Sequence, residues 1–219
     1  MTNARENRRL LITAGPTHEP IDAVRFLGNR SSGRLGIALA ACAADRGWRV
    51  TLLLGPVGRP VGCTDAEVLR FTTTTELRAL LSDGAPHCDA LVMAAAVADY
   101  RPATPPPARK LSRSDGSITL KLDPTPDLLA EAASRRRPGQ LFVGFALEPA
   151  DRLEETARVK LEKKGIDAIV ANPLETIGSD KIDATLLWRC APTERTGGPI
   201  AKDAFAGWLL ERIESAMDR

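Results

Sequence analysis

Histidine, cysteine and net charge are all scarce in this chain, and each scarcity closes off a class of function. Its 219 residues include two histidines, His18 and His87, far apart, and four cysteines, Cys42, Cys63, Cys88 and Cys190, with no Cys-x-x-Cys pair. A zinc site needs tighter ligand spacing on at least one side, so none is expected. Lysine plus arginine exceed aspartate plus glutamate by only 30 to 28. Without a basic stripe, no nucleic-acid partner is expected. No apolar run approaches the roughly 20 residues that span a bilayer, and polar residues 1–9 lead into no secretory h-region. The expectation is a reducing, cytoplasmic setting with no membrane partner.

What is present is an ordinary globular composition, 43% hydrophobic. A chain of this length buries roughly 70% of its extended surface and needs neither disulfide nor structural metal to fold. Short apolar runs alternate with helical stretches, which predicts a parallel sheet covered by helices. Strands are expected at 10–14, 49–54, 68–71, 90–96, 140–145, 168–171 and 184–188. A further strand at 118–122 is expected to pair with 110–112 as a hairpin. An alanine-rich helix runs from Ser31-Ser32-Gly33 to about Arg46, ended by Gly47. Thr73 and Glu76 have capping-box spacing before a second helix. Thr125 and Pro126 read as N-cap and N1 of a third. Charged residues 149–165 and amphipathic 203–217 complete the set. With no repeat and no dividing linker, residues 1–219 read as one α/β, Rossmann-like domain. Its mostly parallel sheet is flanked by helices, with a small β-hairpin excursion.

In such a sheet, ligands bind beyond the carboxyl ends of the strands. Three ends stand out. After the first strand come Gly15-Pro16-Thr17 and, opening the next helix, Asn29-Arg30-Ser31-Ser32-Gly33-Arg34-Leu35-Gly36. Small residues and free N–H groups at a helix start suit a phosphate; the same glycines equally suit close helix–sheet packing. The second end is Ala94-Ala95-Ala96-Val97-Ala98-Asp99-Tyr100-Arg101, a flat floor followed by one carboxylate, which could instead cap a turn and pair with Arg101. The third is Val143-Gly144-Phe145-Ala146-Leu147-Glu148, where Phe145 could stack a base or fill core. Asn172 follows a fourth strand. Arg109, Lys110 and Arg113, with Lys160, Lys163 and Lys164, could meet phosphates; Lys160 and Lys164 are an i, i+4 pair that a solvated face also explains.

Several nucleotide folds are excluded. The chain has no G-x-x-x-x-G-K-[ST] loop. The second strand ends in Leu54-Gly55-Pro56, without the acid that holds a ribose hydroxyl. The sole tyrosine, Tyr100, has Thr104 rather than lysine four residues on, and no G-x-S-x-G elbow exists.

Three sets of residues resemble one family. They are Ile12-Thr13-Ala14-Gly15-Pro16-Thr17 with Glu19-Pro20-Ile21-Asp22, Val24-Arg25-Phe26 and Asn29-Arg30-Ser31-Ser32-Gly33; then Ala94 to Arg101; then Val143-Gly144-Phe145-Ala146 and Val170-Ala171-Asn172. Together they resemble the phosphopantothenoylcysteine synthetases, the phosphopantothenate–cysteine ligases of coenzyme A biosynthesis, over nearly the whole chain. The resemblance implies ligation of 4'-phosphopantothenate to L-cysteine with a nucleoside triphosphate, CTP favoured over ATP, and Mg²⁺, through an acyl-nucleotidyl intermediate. It places Gly15, Ser31, Gly33 and Gly36 on the phosphates, and Phe145, Asn172, Lys160 and Lys164 on the nucleotide side. Asn29, Ala95, Ala96 and Asp99 fall around the substrate and acyl intermediate. Arg25 would reach a neighbouring subunit's site, implying a homodimer, and Asn29 and Lys110 would be catalytic. Lys110-Leu111-Ser112-Arg113 stands where bacterial members read Lys-x-Lys-Lys. Many bacterial relatives carry a flavin-dependent decarboxylase before this domain; none is read in these residues, and a stand-alone synthetase is expected. A non-catalytic nucleotide- or phosphopantetheine-binding module of the same fold is the alternative.

Overall fold

A computed structural model of the chain describes residues 8–58, 62, 65–176 and 178–219; Cys63 lies outside them. The strands are β1 (Arg9–Ala14), β2 (His18–Pro20), β3 (Phe26–Gly28), β4 (Arg49–Leu54), β5 (Glu67–Arg70), β6 (Ala90–Met93) and β7 (Tyr100–Pro102). After them come β8 (Leu122–Pro124), β9 (Leu141–Glu148), β10 (Ala168–Pro173), β11 (Lys181–Ile182), β12 (Thr185–Trp188), β13 (Glu194–Arg195) and β14 (Ile200–Ala201). The helices are α1 (Arg34–Asp45), α2 (Thr74–Gly84), α3 (Leu128–Ser134), α4 (Leu153–Lys164) and α5 (Lys202–Met217).

Eight strands form one sheet in the order β13-β12-β10-β9-β6-β1-β4-β5. From β5 to β10 every pairing is parallel, and β12 and β13 add an antiparallel end. Counted along the chain, the six parallel strands lie 3-2-1-4-5-6, the doubly wound arrangement that reverses direction between its first and fourth strands. Here those strands are β1 and β6. The expected Rossmann-like α/β fold is what forms.

Both faces of the sheet are covered, and this is why its strands read as unbroken apolar runs. Leu10, Ile12 and Ala14 of β1 enter a core with Leu39, Ala40 and Ala43 of α1 and Phe205, Leu209 and Ile213 of α5. Leu11 faces a second core with Leu77 and Leu81 of α2, Leu128 of α3 and Leu161 of α4. Gly47, at φ 85°, ends α1 as expected. The capping box of α2 forms in both directions, Thr73 accepting from the Glu76 N–H while Glu76 accepts from the Thr73 N–H.

Three local expectations need correction. The strand expected over 90–96 stops at Met93, and beyond it only Ala96 still bridges, to Pro16. β1 has ended by then, and Gly15 turns the chain at φ 79°, so the ladder loses its partner. The hairpin excursion pairs Tyr100–Pro102 with Leu122–Pro124, not 110–112 with 118–122. Its side chains are largely exposed, so no buried face fixed the register in the sequence pattern. The N-cap of α3 is Asp127, whose carboxylate accepts from the Ala130 N–H at 3.1 Å. Thr125 is instead held by the second motif: its hydroxyl donates to the Ala98 carbonyl at 2.5 Å and its N–H to the Asp99 carbonyl at 2.9 Å.

Candidate functional site

The reversal between β1 and β6 opens a crevice whose floor is main chain. The Ala96 N–H donates to the Gly15 carbonyl at 2.9 Å, and the Thr17 N–H returns a bond to the Ala96 carbonyl at 3.2 Å. Two buried threonines finish the stitching. Thr13 Oγ1 accepts from the Ala95 N–H at 3.0 Å and Thr17 Oγ1 from the Ala98 N–H at 2.9 Å. Ala94, Ala95 and Ala96 are small where a side chain would occupy the opening. From behind, Gly55 lets the loop close down, since a Cβ there would lie 2.2 Å from the Pro16 carbonyl oxygen.

At the same opening α1 begins. Its N-cap is Gly33, at φ 67°, with no side-chain cap and no acid in the first turn. The first N–H groups of a helix point outward and carry partial positive charge, which favours an anion. Gly33 packs close to Gly15: a Cβ on it would stand 3.4 Å from the Gly15 nitrogen. Ser31 Oγ accepts from the Gly33 N–H at 3.4 Å, shaping the turn that precedes the helix. Gly36 answers the packing question differently, for a Cβ there would meet Ala14 Cβ at 2.4 Å. Its role in the structure is helix–strand contact.

Asn29 joins the two motifs. Its Nδ2 donates to the Val97 carbonyl at 2.9 Å, across 68 residues of sequence. It caps no helix. Asp99 is exposed at the end of this segment, and Arg101 turns toward Thr75 Oγ1 at 3.4 Å rather than toward it.

On β9 and β10, Phe145 is half-buried and packs against the first core, and Asn172 Nδ2 donates to Thr176 Oγ1 at 2.6 Å. The two lysines of α4 each meet an acid: Lys160 lies 2.5 Å from Glu148 Oε1, and Lys164 is bonded to Asp127. Burial pushes the Asp127 carboxyl up, but the Lys164 ammonium and the N–H of Ala130 outweigh it and hold it below its ordinary value. Lys110 is exposed in the loop that passes beside Asp22 and Arg25. Thus Gly15, Ser31, Gly33, Asn29, Ala95 and Ala96 converge on one crevice, while Lys160, Lys164 and Asn172 engage partners on neighbouring elements. Among the described residues no three His, Cys, Asp or Glu side chains converge as a cation cage. No helix among them is long and apolar enough to cross a membrane.

Two buried carboxylates beside the crevice, Glu19 and Asp22, were quoted above only as part of the resemblance and given no role. Glu19, 3% exposed, accepts from the Thr74 N–H at 2.8 Å and the Thr74 hydroxyl at 2.7 Å, fixing the start of α2 against the Gly15 loop. Asp22, 4% exposed, accepts from the N–H groups of Val24 and Arg25 at 2.8 and 2.7 Å. An aspartate bonding the backbone two and three residues on is a recognisable turn signature, and it was the one available signal.

Residues 5–217 match the family described as "DNA/pantothenate metabolism flavoprotein C-terminal domain". The chain belongs to this family. Among curated members, the "Coenzyme A biosynthesis bifunctional protein CoaBC" of Mycobacterium bovis is 42% identical over 192 residues, covering 84% of this chain and 46% of that protein. A "Cysteine/Cysteine sulfinic acid decarboxylase" of an unknown prokaryotic organism is 44% identical over 172 residues, covering 78% of this chain and 47% of that one. The chain therefore spans about half the length of the curated relatives it matches. A crystal structure of the C-terminal domain of CoaBC superposes with a TM-score of 0.82 at 29% identity, covering 96% of each chain. Membership in the DNA/pantothenate metabolism flavoprotein family thus extends over the whole fold, crevice included.

Proposed function

We propose that this domain is a phosphopantothenate–cysteine ligase acting in coenzyme A biosynthesis. The observation that carries the reading is the crevice: a helix start without a side-chain cap beside Gly15, with Asn29 bridging to the second motif over a floor of main chain and alanine methyls. A carboxylate is a poor acyl donor until one oxygen leaves as a phosphate. The phosphopantothenate carboxylate attacks the α-phosphate of the nucleoside triphosphate, forming an acyl-nucleotide and releasing pyrophosphate. The cysteine amine then attacks the acyl carbon, forming the amide, and the nucleoside monophosphate departs. The α1 N–H groups suit the phosphate, and Lys110 supplies a cation for the developing charge. With no carboxylate cage among the described residues, a Mg²⁺ arriving with the nucleotide would be held mainly by phosphate and water oxygens.

Protein mixed with phosphopantothenate, cysteine, Mg²⁺ and CTP is expected to release pyrophosphate and form the amide in equal amounts. CTP is expected to exceed ATP in kcat/KM, because the basic cluster Arg109, Lys110 and Arg113 and the Gly33–Gly36 spacing resemble those of bacterial members. Folded protein without turnover on either nucleotide refutes the ligase. If it still binds nucleotide or phosphopantetheine, the non-catalytic module takes its place.

We infer also that the active species is a homodimer in which Arg25 serves the partner's site. Its neighbours Val24 and Phe26 are 63% and 53% exposed, an apolar surface suited to a second copy. Inactive Arg25→Ala subunits mixed with inactive Asn29→Asp subunits should then regain part of the wild-type activity through hybrid sites. Mixtures that stay inactive, or a demonstrably monomeric active species, refute the shared site.

A further inference from the structure

Residues 22–25 and 109–113 are about ninety positions apart, yet they close into one knot around a single carboxylate. The side chain of Asp22 has no exposed surface. One of its oxygens accepts from the N–H groups of Val24 and Arg25; the other accepts from the Leu111 N–H at 3.0 Å and from the Arg25 guanidinium. Arg25 Nη1 also donates to the Leu111 carbonyl at 3.3 Å, so Leu111 is gripped at both its N–H and its C=O. The turn itself is closed by the N–H of Ile21 on the Arg25 carbonyl at 2.8 Å. Neither Asp22 nor Leu111 carries reactive chemistry of its own; what the knot fixes is the spacing between the Arg25 side chain and Lys110, one residue before Leu111.

We propose that Asp22 is a positioning residue that fastens the Lys110 loop to the Arg25 turn, so that the two cations are held as one unit of fixed spacing. The inference rests on the ligase reading for what that unit does, and on geometry alone for the existence of the clamp. A neutral side chain of the same shape cannot replace it. An amide at this position has one acceptor oxygen and one donor nitrogen, and the nitrogen would face an N–H on whichever side it lay. Burial alone would push the carboxyl up, but the N–H groups of Val24, Leu111 and Arg25 and the Arg25 guanidinium reverse this and hold it far below the usual carboxylate range. The clamp therefore stays charged at any pH where the protein works, and acts as a fixture, not a switch.

The test uses Asp22→Asn and, separately, Asp22→Ala, which removes every bond the carboxylate accepts from the turn and from the loop. Limited digestion with trypsin reads the loop directly, because Lys110 and Arg113 are exposed cleavage points. Both variants are expected to be cut there about tenfold faster than wild type, while cleavage elsewhere and the thermal midpoint change little, as local opening requires. In the ligation assay, kcat should fall and the KM for phosphopantothenate should rise, each by roughly tenfold, because a misplacement near 1 Å is costly to chemistry. The KM for the nucleotide should hold. Wild-type cleavage rates in both variants would show that no clamp exists. Faster cleavage with unchanged kinetics would show that the clamp positions nothing. The digestion result stands whatever turnover wild type shows, so failure of the clamp and failure of the ligase reading are separate outcomes.

Discussion

Asn29→Asp is expected to release pyrophosphate near the wild-type rate while amide formation falls roughly a hundredfold, so that acyl-nucleotide accumulates. The two half-reactions ask different things of this residue. Activation needs the triphosphate seated on the start of α1, whose N–H groups Asn29 does not cap; the cap is Gly33. Amide formation needs a donor close to the acyl carbonyl as its oxygen becomes negative, and a neutral one, since a carboxylate there would repel both oxyanion and phosphate. Losing one such oriented donor costs on the order of 3 kcal/mol. The substitution also sets a carboxylate oxygen against the Val97 carbonyl that Nδ2 now satisfies at 2.9 Å. That penalty, about 1–3 kcal/mol, bears on the fold and so on both steps alike. The ratio of the two rates is therefore the diagnostic quantity, and rapid-quench measurement supplies it. Equal slowing with no intermediate would mean that Asn29 only holds the two motifs together.

Gly36→Ala should lower stability measurably although it adds a single methyl group. The new Cβ would lie 2.4 Å from Ala14 Cβ and 3.2 Å from the Thr13 carbonyl oxygen, both rigid parts of β1. No long side chain can swing aside, so α1 must lift from the sheet. Overpacking of this kind costs typically 1–3 kcal/mol, and for a domain of this size that lowers the thermal midpoint by roughly 2–12 °C. Helix propensity runs the other way by nearly 1 kcal/mol, alanine being better than glycine, and is outweighed. Thermal unfolding followed by circular dichroism checks it. An unchanged midpoint with weakened nucleotide binding would mean that Gly36 serves the phosphate directly and not the packing.

The sheet was readable in advance because its information is local. The run Ala90–Met93 is apolar on both faces, and Gly55-Pro56 closes the run Arg49–Leu54, so parallel character and the end of that strand followed from the chain itself. The Thr73–Glu76 box was equally plain, its two bonds spanning three residues. What escaped depends on distant partners. Thr125 has every local mark of an N-cap, yet its hydroxyl is taken by Ala98, 27 residues earlier, and the cap moves on to Asp127. The excursion was misregistered for a related reason: Pro102 and Pro124 lack N–H groups, and an exposed two-stranded ribbon has no buried face to fix its pairing. Lys160 and Lys164 announced themselves as a pair, but not that Glu148 and Asp127 would meet them. In the crevice, the glycines and alanines were visible as small residues, whereas the hydrogen bonds that make Thr13, Thr17 and Asn29 structural could only be seen once β1 and β6 lay side by side.

The way the eight-stranded sheet ends on either side has a consequence for how these molecules behave in a crowd. An outermost strand is a template on which another chain can zip, and long, flat, apolar margins seed fibrous aggregates. Here one margin, Glu194–Arg195, is two residues long and charged throughout. The other, Glu67–Arg70, is four residues long with a charge at each end. The long apolar strands all lie inside, paired on both sides, so the most adhesive backbone in the protein is never offered to a neighbour while the domain stays folded.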